Sequence, residues 1–484
     1  MKKRHTTPGV YLQGLSPQPR PIAQVATAIP AFIGYTEKSI HRGIQVMNTP
    51  IQIRSVLEFE EFFGKAFPSK FEIVPTLPDD AFPINIDGQI KSISFLPDQQ
   101  GFLYYSVKAF FENGGGTCYI VSVGNYTGEA SLIIEKSALL GGLTALDHEN
   151  TPLILVIPDA VLLGDLAPHL YQQMLAHCAS KRNRFAILDI PDGYQSLNGG
   201  NDCISDFRNG IGIQNLAFGA VYYPWLYSSI AFDPSMEVLD RFTLLDLQNI
   251  LTEPHAQTFL NSTPAPYGSY LDQGLRNFSP TYLALLEAIQ KKLGLLPPSG
   301  FLAGVYARTD QQRGVWKAPA NVSLNSVFKT SSSVTAVSQR DLNIHPSGKS
   351  INAIREFPGK GILVWGARTL AGNNNEWRYV PVRRTAMMVE QSIRDGIQFA
   401  VFEPNTSNTW LTIKNSSTNF LTSIWRSGGL AGARAKEAFY VQVGLGKTMT
   451  AQDISNNRMI VEIGMAILRP AEFIVLRIEL NIKG

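Results

Sequence analysis

Charged residues are scarce in this sequence: Asp, Glu, Lys and Arg make up 17% of its 484 residues, where about a quarter is usual. The 42 basic and 39 acidic side chains nearly cancel, which leaves a formal net charge of +3. A chain that binds nucleic acid without sequence preference needs a concentrated basic face, so this balance gives no sign of such a partner. A surface with few charges suits contacts with other protein, which favours assembly.

Cysteine is rare as well, and no spacing typical of a metal site is present. The three cysteines, Cys118, Cys178 and Cys203, form no CxxC pair. They indicate buried thiols of a protein made in a reducing cytosol, not a disulfide framework. The seven histidines contain no HxxxH or HExxH motif, which are spacings used by zinc sites. We expect no metal and no cofactor.

Long hydrophobic runs are also absent, which excludes a membrane-spanning helix. The apolar residues 153–157 stop at Pro158, far short of the roughly 20 residues that a bilayer requires. The basic residues 2–4 are followed by no apolar stretch, so they do not form a signal peptide. We therefore expect a protein made in the cytoplasm that does not insert directly into a membrane.

The middle of the chain contains apolar segments of alternating strand and helix length. Residues 153–157, 185–188 and 217–222 have the composition of buried strands, and a helical stretch around 170–179 separates the first two. Tyr282, Leu285, Ile289 and Leu293 share one face of a further helix. Strands that alternate with helices are typical of an α/β layer domain.

The flanking parts mix helices and strands less regularly, which indicates an α+β fold. Ser55 and Glu58 have the spacing of a capping box, and this predicts a helix that starts there. Apolar residues within 103–111 and 386–400 repeat at helical intervals, and residues 362–365 resemble a strand.

Both chain ends have the character of extended arms. Residues 1–25 carry four prolines and few large apolar groups, and proline favours extended chain. Within them, Val10 and Leu12 alternate with Tyr11, as in a short strand. At the other end the strict alternation over 474–482 predicts a strand, with one face made of Ile474, Leu476, Ile478, Leu480 and Ile482.

One short segment is similar to a nucleotide phosphate loop. Residues 444–448 read GLGKT, but the loop requires a glycine five residues before the one that precedes the lysine. That position is Val441, so the backbone amides cannot enclose a phosphate in the required way. We predict a hairpin turn here instead.

Three aspartates follow predicted strands, where α/β enzymes often keep catalytic or metal-binding groups. They are Asp159, Asp189 and Asp192, and each lies near proline or glycine. Turn and helix-cap roles account for the same pattern. A cytosolic α/β enzyme therefore stays open as an alternative function.

A proline- and glycine-rich stretch at 296–321 concentrates several charged side chains. It contains Arg308, Asp310 and Arg313, and two interpretations remain. It is either a ligand-binding loop or a rigid polar crossing between domains, in which Asp310 pairs with Arg308 or Arg313.

This stretch also resembles the tail sheath proteins of contractile phages and the sheaths of phage-like contractile injection systems. The resemblance extends over most of the chain, with its motifs in the right order. They are PGVY at 8–11, FFENGGG at 110–116, YYPW at 222–225, PPSG at 297–300, AGVYARTD at 303–310, RGVWKAPAN at 313–321, INAIR at 351–355, WGART at 365–369, VFEPN at 401–405 and PAEF at 470–473.

The resemblance implies a mixed α+β sheath core with an inserted α/β domain and extended terminal arms. The core then consists of residues 26–125 and 356–472, and residues 126–355 form an outward-facing insertion. Residues 1–25 are the N-terminal arm, and residues 473–484 are the C-terminal linker strand. Both arms add strands to the core sheets of neighbouring subunits.

The resemblance further implies a structural role without enzymatic activity. Such subunits stack as sixfold rings in a helical sleeve around an inner tube, and the sleeve contracts to drive the tube through a target envelope. The expected partners are further copies of the chain, the inner tube protein, baseplate and terminal cap proteins, and sister sheath proteins. The expected location is a phage tail or a phage-like injection particle.

Three basic residues are candidates for contact with the inner tube. Basic groups touch an acidic tube in some relatives, and Arg426, Arg434 and Lys436 are the candidates here; an ordinary solvated helix face is the alternative interpretation of these residues.

The alternative function of the whole chain is a static tube or baseplate component of the same machine.

Overall fold

The structure, a computed structural model, describes residues 21–76, 80–197, 202–233, 235–262 and 269–472. These residues form two compact units. The smaller unit comprises Val389–Leu468 and the described chain before Ala26, and the larger comprises Ala26–Met388 and the described chain from Arg469. The predicted strand residues of both arms lie outside the described residues: Val10, Tyr11, Leu12, Ile474, Leu476, Ile478, Leu480 and Ile482.

Strands occur throughout the described ranges. In chain order they are β1 (Pro30–Thr36), β2 (Ile40–His41), β3 (Ile44–Gln45), β4 (Ile51–Ile53), β5 (Phe71–Pro75), β6 (Ile84–Ile86), β7 (Gln89–Phe95), β8 (Cys118–Asn125), β9 (Leu153–Val156), β10 (Arg184–Asp189), β11 (Gly219–Tyr223), β12 (Leu226–Ser228), β13 (Leu295–Leu296), β14 (Val322–Ser323), β15 (Val327–Thr330), β16 (Asn352–Phe357), β17 (Gly361–Val364), β18 (Phe439–Val443) and β19 (Val461–Met465).

Helices lie between these strands. The α-helices are α1 (Val56–Phe63), α2 (Leu103–Glu112), α3 (Lys136–Ala145), α4 (Ala167–Lys181), α5 (Cys203–Gly210), α6 (Leu244–Ile250), α7 (Pro254–Ser262), α8 (Ser269–Phe278), α9 (Pro280–Leu293), α10 (Ser299–Arg313), α11 (Ala336–Asn343), α12 (Val380–Gly396), α13 (Ser407–Arg426), α14 (Ala435–Ala438) and α15 (Ala451–Ser455). No helix in the described ranges is both long and apolar enough to cross a bilayer.

The larger unit is built on a nine-stranded sheet in the order β14-β17-β16-β11-β10-β9-β1-β8-β4. Its centre is parallel: β1 pairs with β8 and β9, and β10 pairs with β9 and β11. The four residues of β9 are all buried, as expected for a strand covered on both faces. The predicted α/β layer is therefore confirmed, within a mixed α+β fold.

Strands from two predicted domains share this sheet. β1, β4 and β8 come from residues 26–125, and β9, β10 and β11 come from residues 126–355. The predicted division of the chain into a core and an insertion stays a prediction.

Two helices show how local sequence sets the elements. Ser55 caps α1, because its side chain accepts a hydrogen bond from the backbone N–H of Glu58, and the helix ends at Gly64, whose φ is +82°. Glycine suits that position because it tolerates the left-handed region. The predicted stripe Tyr282, Leu285, Ile289 and Leu293 lies buried on α9. The sequence pattern predicted both helices correctly.

The stretch around Asp310 differs from both interpretations of the sequence. Residues Ser299–Arg313 form helix α10, and Asp310 pairs with neither Arg308 nor Arg313. Its Oδ2 accepts a hydrogen bond from Nη2 of Arg384 at 2.6 Å. Arg384 and Asp310 are 74 residues apart in the sequence, so the spacing of residues within one helix could not predict that they pair.

The smaller unit combines the long helix α13 with the antiparallel pair β18 and β19. Its described N-terminal part packs on α12: a Cβ at Gly396 would lie 2.6 Å from the side chain of Ile22. Residues 444–448 form a turn after β18, where the N–H of Lys447 donates to the carbonyl of Gly444 at 3.2 Å. That segment was predicted as a turn.

Candidate assembly surfaces

The smaller unit contains a sheet of two strands. β18 and β19 pair antiparallel with Val441 opposite Ile463. Among the described residues, no third strand pairs with the outer edge of either one. A strand edge carries unpaired N–H and C=O groups that act as a template for another strand. This sheet therefore offers a surface for strand addition.

The apolar face of the same sheet is covered unevenly. On β18, Val441 and Val443 are buried, while Tyr440 and Gln442 are exposed. On β19, Val461, Ile463 and Met465 share the face of Val441 and remain only partly buried. Burial thus decreases from β18 toward the outer edge of β19, where a further strand with an apolar face would cover these side chains.

The register shows which backbone groups face outward from β19. The N–H of Ala466 donates to the carbonyl of Ala438 at 2.8 Å, just beyond the strand pair. Hydrogen-bonded and non-hydrogen-bonded pairs alternate along an antiparallel ladder. Counting inward from that bond, the N–H groups of Val461, Ile463 and Met465 point away from β18. They are donors for a strand at the outer edge.

The three predicted tube-contact residues lie exposed around the end of α13. Arg426 is the last residue of α13, and Arg434 and Lys436 flank the start of α14. Trp425 Nε1 donates to the carbonyl of Gly432 at 2.9 Å, which holds the connecting loop at the end of α13. Arg434 also pairs with Glu437 at 2.5 Å, so part of its charge is compensated within the chain.

Carboxylates are scarce in the sequence around these residues, where Glu437 is the one that pairs with Arg434. Between residues 404 and 436 there is no Asp or Glu, whereas Lys414, Arg426, Arg434 and Lys436 all occur there. Exposed like charges add to one another at distances within about 8–10 Å in physiological salt. With Glu437 as the one carboxylate beside Arg426, Arg434 and Lys436, this part of the smaller unit keeps an excess of exposed positive charge, a positive surface that suits an acidic partner.

The three aspartates predicted at strand ends have structural partners. Oδ1 of Asp159 accepts from the N–H of Phe102 at 2.6 Å, where α2 begins. Oδ1 of Asp189 accepts from the N–H of Ser299 at 2.8 Å, at the first residue of α10. Both carboxyl groups are buried, and burial raises the pKa of Asp159 to about 6 and that of Asp189 to about 7.

The third aspartate lies in a turn. Asp192 has a φ of +52°, and its carbonyl accepts from the N–H of Gln195 at 2.9 Å. The described residues contain no group of three or more His, Cys, Asp or Glu side chains placed to hold a metal ion. The cap and turn interpretation of these residues thus describes their geometry.

Comparisons with known proteins agree with this architecture. The family model "Phage tail sheath C-terminal domain" matches residues 373–481, a range that includes the whole of α13, β18 and β19. The tail sheath protein of Vibrio phage KVP40 is 26% identical over 137 residues, which are 28% of this chain and 20% of that protein. The chain thus aligns with a fifth of the length of this curated relative.

Solved structures are similar over nearly the whole chain. One is from the contracted PVC sheath complex, an extracellular contractile injection system, with 28% identity, a TM-score of 0.62 and 99% coverage of both chains. Another is from the contracted baseplate of the anti-feeding prophage, with 26% identity and a TM-score of 0.65, over 99% of this chain and 100% of that one. The resemblance to contractile sheath proteins is confirmed.

Proposed function

We propose that the chain is the repeating structural subunit of a contractile sheath. Copies polymerise as stacked sixfold rings around an inner tube, and contraction of this sleeve drives the tube through a target envelope. The observation that carries the proposal is the similarity, over 99% of both chains, to a subunit of a contracted sheath complex. The role is structural, and the chain needs no catalytic site to perform it.

The open sheet of the smaller unit supports this proposal physically. Head-to-tail contacts that do not close generate a helix, and subunits that shift within a lattice must stay tethered. Strand addition provides such a tether, because backbone hydrogen bonds form along an exposed edge. Residues 473–484 of one copy, and the strand around Val10–Leu12 of another, extend the β18–β19 sheet of a neighbour. The remaining chain then divides into the core and the outward insertion as predicted.

The positive surface around Arg426, Arg434 and Lys436 then faces the inner tube. Contraction requires no nucleotide if the extended lattice is kinetically trapped above a better-packed one. The free energy of the transition then comes from contacts between subunits. Baseplate and terminal cap proteins hold the two ends of the sleeve.

Deletion of residues 473–484 tests the proposal. The full chain, expressed with its inner tube protein, is expected to form helical sleeves that electron microscopy detects. The truncated chain is expected to remain folded, with the circular dichroism spectrum of the full chain, and to form no sleeves. Normal sleeves from the truncated chain would contradict the assigned role of the arm.

A second candidate is a static component of the baseplate in the same machine. The similarity to a subunit from a contracted baseplate complex favours it. A static component forms one lattice only, whereas a sheath subunit forms a long narrow sleeve and a short wide one. Helical reconstruction of particles before and after triggering with a denaturant separates the two candidates.

A further inference from the structure

We infer that Arg368 is a positioning residue that anchors the root of the C-terminal arm. It holds Glu472 and so determines where residues 473–484 leave the subunit. The inference rests on the proposed function, because the arm matters only if it joins neighbouring copies. It names the residues that transmit load from that joint into the fold.

The contact itself is a paired hydrogen bond between two charged groups. Nε of Arg368 donates to Oε1 of Glu472 at 2.8 Å, and Nη2 donates to Oε2 at 2.5 Å. The side chain of Arg368 is 3% exposed and that of Glu472 is 18% exposed. A bidentate arginine–carboxylate pair is directional as well as strong, so it holds the backbone at Glu472 in one place.

The third nitrogen of the Arg368 guanidinium also binds within the fold. Its Nη1 donates to the carbonyl of Asn343 at 3.2 Å and to that of Gly372 at 3.4 Å. The guanidinium is therefore fixed from several sides before Glu472 binds. A fixed guanidinium loses little conformational freedom on pairing, which favours a stable anchor.

Asn352 connects this anchor to the large sheet. Its Nδ2 donates to the carbonyl of Arg368 at 2.8 Å and to that of Val221 at 3.1 Å, and its Oδ1 accepts from the N–H of Arg368 at 2.7 Å. Asn352 belongs to β16, which pairs with β11 in the centre of the sheet. A Cβ at Gly366 would lie 2.7 Å from Asn352 Oδ1, so only glycine leaves room for this contact.

Three motifs that lie apart in the sequence therefore meet at one point: INAIR through Asn352, WGART through Arg368 and PAEF through Glu472. A force that pulls on the arm is transmitted through Glu472 and Arg368 to Asn352 and the sheet. Freeing residues 469–472 would lengthen the tether by up to about 3.5 Å per residue. A longer tether no longer fixes the spacing between neighbouring copies.

The test uses full-length Glu472→Gln, with Glu287→Gln as the matched control. The exposed Glu287 pairs with the partly buried Lys291 at 2.6 Å on α9, so the control removes the same charge elsewhere. In the unassembled Glu472→Gln chain we expect cleavage by proteinase K around residues 469–472 to be at least about tenfold faster, because local opening exposes the chain to protease. With the inner tube protein, we expect few sleeves or sleeves of irregular pitch. The control is expected to match the wild type in both measurements.

A second variant separates the loss of this contact from misfolding of the chain. Glu472→Gln leaves a buried arginine without its partner, so Arg368→Met combined with Glu472→Met removes both charges at once. We expect this chain to melt near the wild-type temperature, to be cleaved quickly around residues 469–472 and to form irregular sleeves. Regular sleeves like those of the wild type despite fast cleavage, or cleavage at the wild-type rate, would overturn the inference. Failure of the wild-type chain to form any sleeve would instead contradict the proposed function.

Discussion

At position 189 a carboxyl group lies buried at the start of a helix, where it binds the backbone of Ser299. A charged carboxylate at a helix N-terminus is favourable, but burial opposes ionisation. The pKa of about 7 shows that the cost of burial is the larger effect. The position of Asp189 is thus explained by helix capping.

This shifted pKa predicts a pH-dependent stability. The usual pKa of an unfolded Asp is about 3.9, so between pH 4 and 7 the unfolded chain ionises while the folded chain keeps its proton. Stability falls as the pH rises through this window, by about 4 kcal/mol at most for three pKa units. Asp189→Asn removes this contribution and keeps an acceptor for Ser299.

We therefore expect the variant to gain stability relative to the wild type between pH 5 and pH 8. Melting temperatures of both chains at the two pH values measure this change. Titration of other groups affects both chains alike and cancels in the comparison. An equal difference between the chains at both pH values would show that Asp189 does not titrate in this range.

The pair of Asp310 and Arg384 predicts a large loss of stability when it is broken. Arg384 donates to Asp310 twice, at 2.9 and 2.6 Å, and also to the carbonyl of Thr27 at 2.9 Å. Both side chains are nearly inaccessible to solvent. Asp310→Ala should lower the free energy of unfolding by about 3–5 kcal/mol, because it leaves a buried charge unpaired.

Urea unfolding of the single variant and of Asp310→Ala combined with Arg384→Met measures this cost. The double variant buries no unpaired charge, so most of the lost stability should return. A loss below about 1 kcal/mol in the single variant would show that water solvates Arg384.

At the scale of elements, the outer edge of β19 is the feature that a substitution can isolate. The N–H of Ile463 faces away from β18, so Ile463→Pro removes a donor that only an added strand would use. Proline is tolerated on edge strands for this reason. Ile463→Ala keeps the donor and loses the side chain, which makes it the matched control.

We expect both chains to remain folded monomers with similar melting temperatures. With the inner tube protein, Ile463→Ala should still form sleeves, and Ile463→Pro should form at least about tenfold fewer because its strand edge is interrupted. Counting sleeves by electron microscopy gives the comparison. Equal numbers from the two variants would mean that no strand adds at this edge.

Helices and strands were predictable where the residues close together in the chain specify them. The cap at Ser55, the stripe on α9 and the central strands β9 and β10 all follow from neighbouring residues. Helix α10 was missed, although its residues are mostly buried. An apolar helix with glycine at several positions lacks the one-sided stripe that marks a surface helix.

At the scale of the whole molecule, the positive surface of the smaller unit predicts salt-dependent binding to the tube. Changing Arg426, Arg434 and Lys436 to Glu reverses three exposed charges. The matched control changes Arg313, Lys317 and Lys360, which are exposed in the larger unit. Co-sedimentation with the inner tube should weaken at least about tenfold in the first variant and not in the control.

Binding of the wild-type chain should also weaken as salt rises, since exposed charges are screened. If the first variant binds the tube as well as the wild type does, the residues form an ordinary solvated surface. That was the alternative interpretation of the same three side chains.

The sequence by itself determined the properties that arise between near neighbours along the chain. These are the scarcity of charge, the failed phosphate loop at 444–448, the helix and strand periods, and the ordered motifs that resemble sheath proteins. The phosphate-loop spacing and the helix and strand periods depend on residues close together in the chain, and a periodic pattern records that spacing directly.

Only the tertiary structure decided which distant groups meet. Asp310 with Arg384, and Arg368 with both Asn352 and Glu472, are joined across separations of 16 to 104 residues. Such pairs form because the sheet brings separate segments together, and a buried charge must then find its partner there. Local sequence contains no record of that geometry. For the same reason, only the fold shows that the motifs INAIR, WGART and PAEF, which lie apart in the sequence, are in contact.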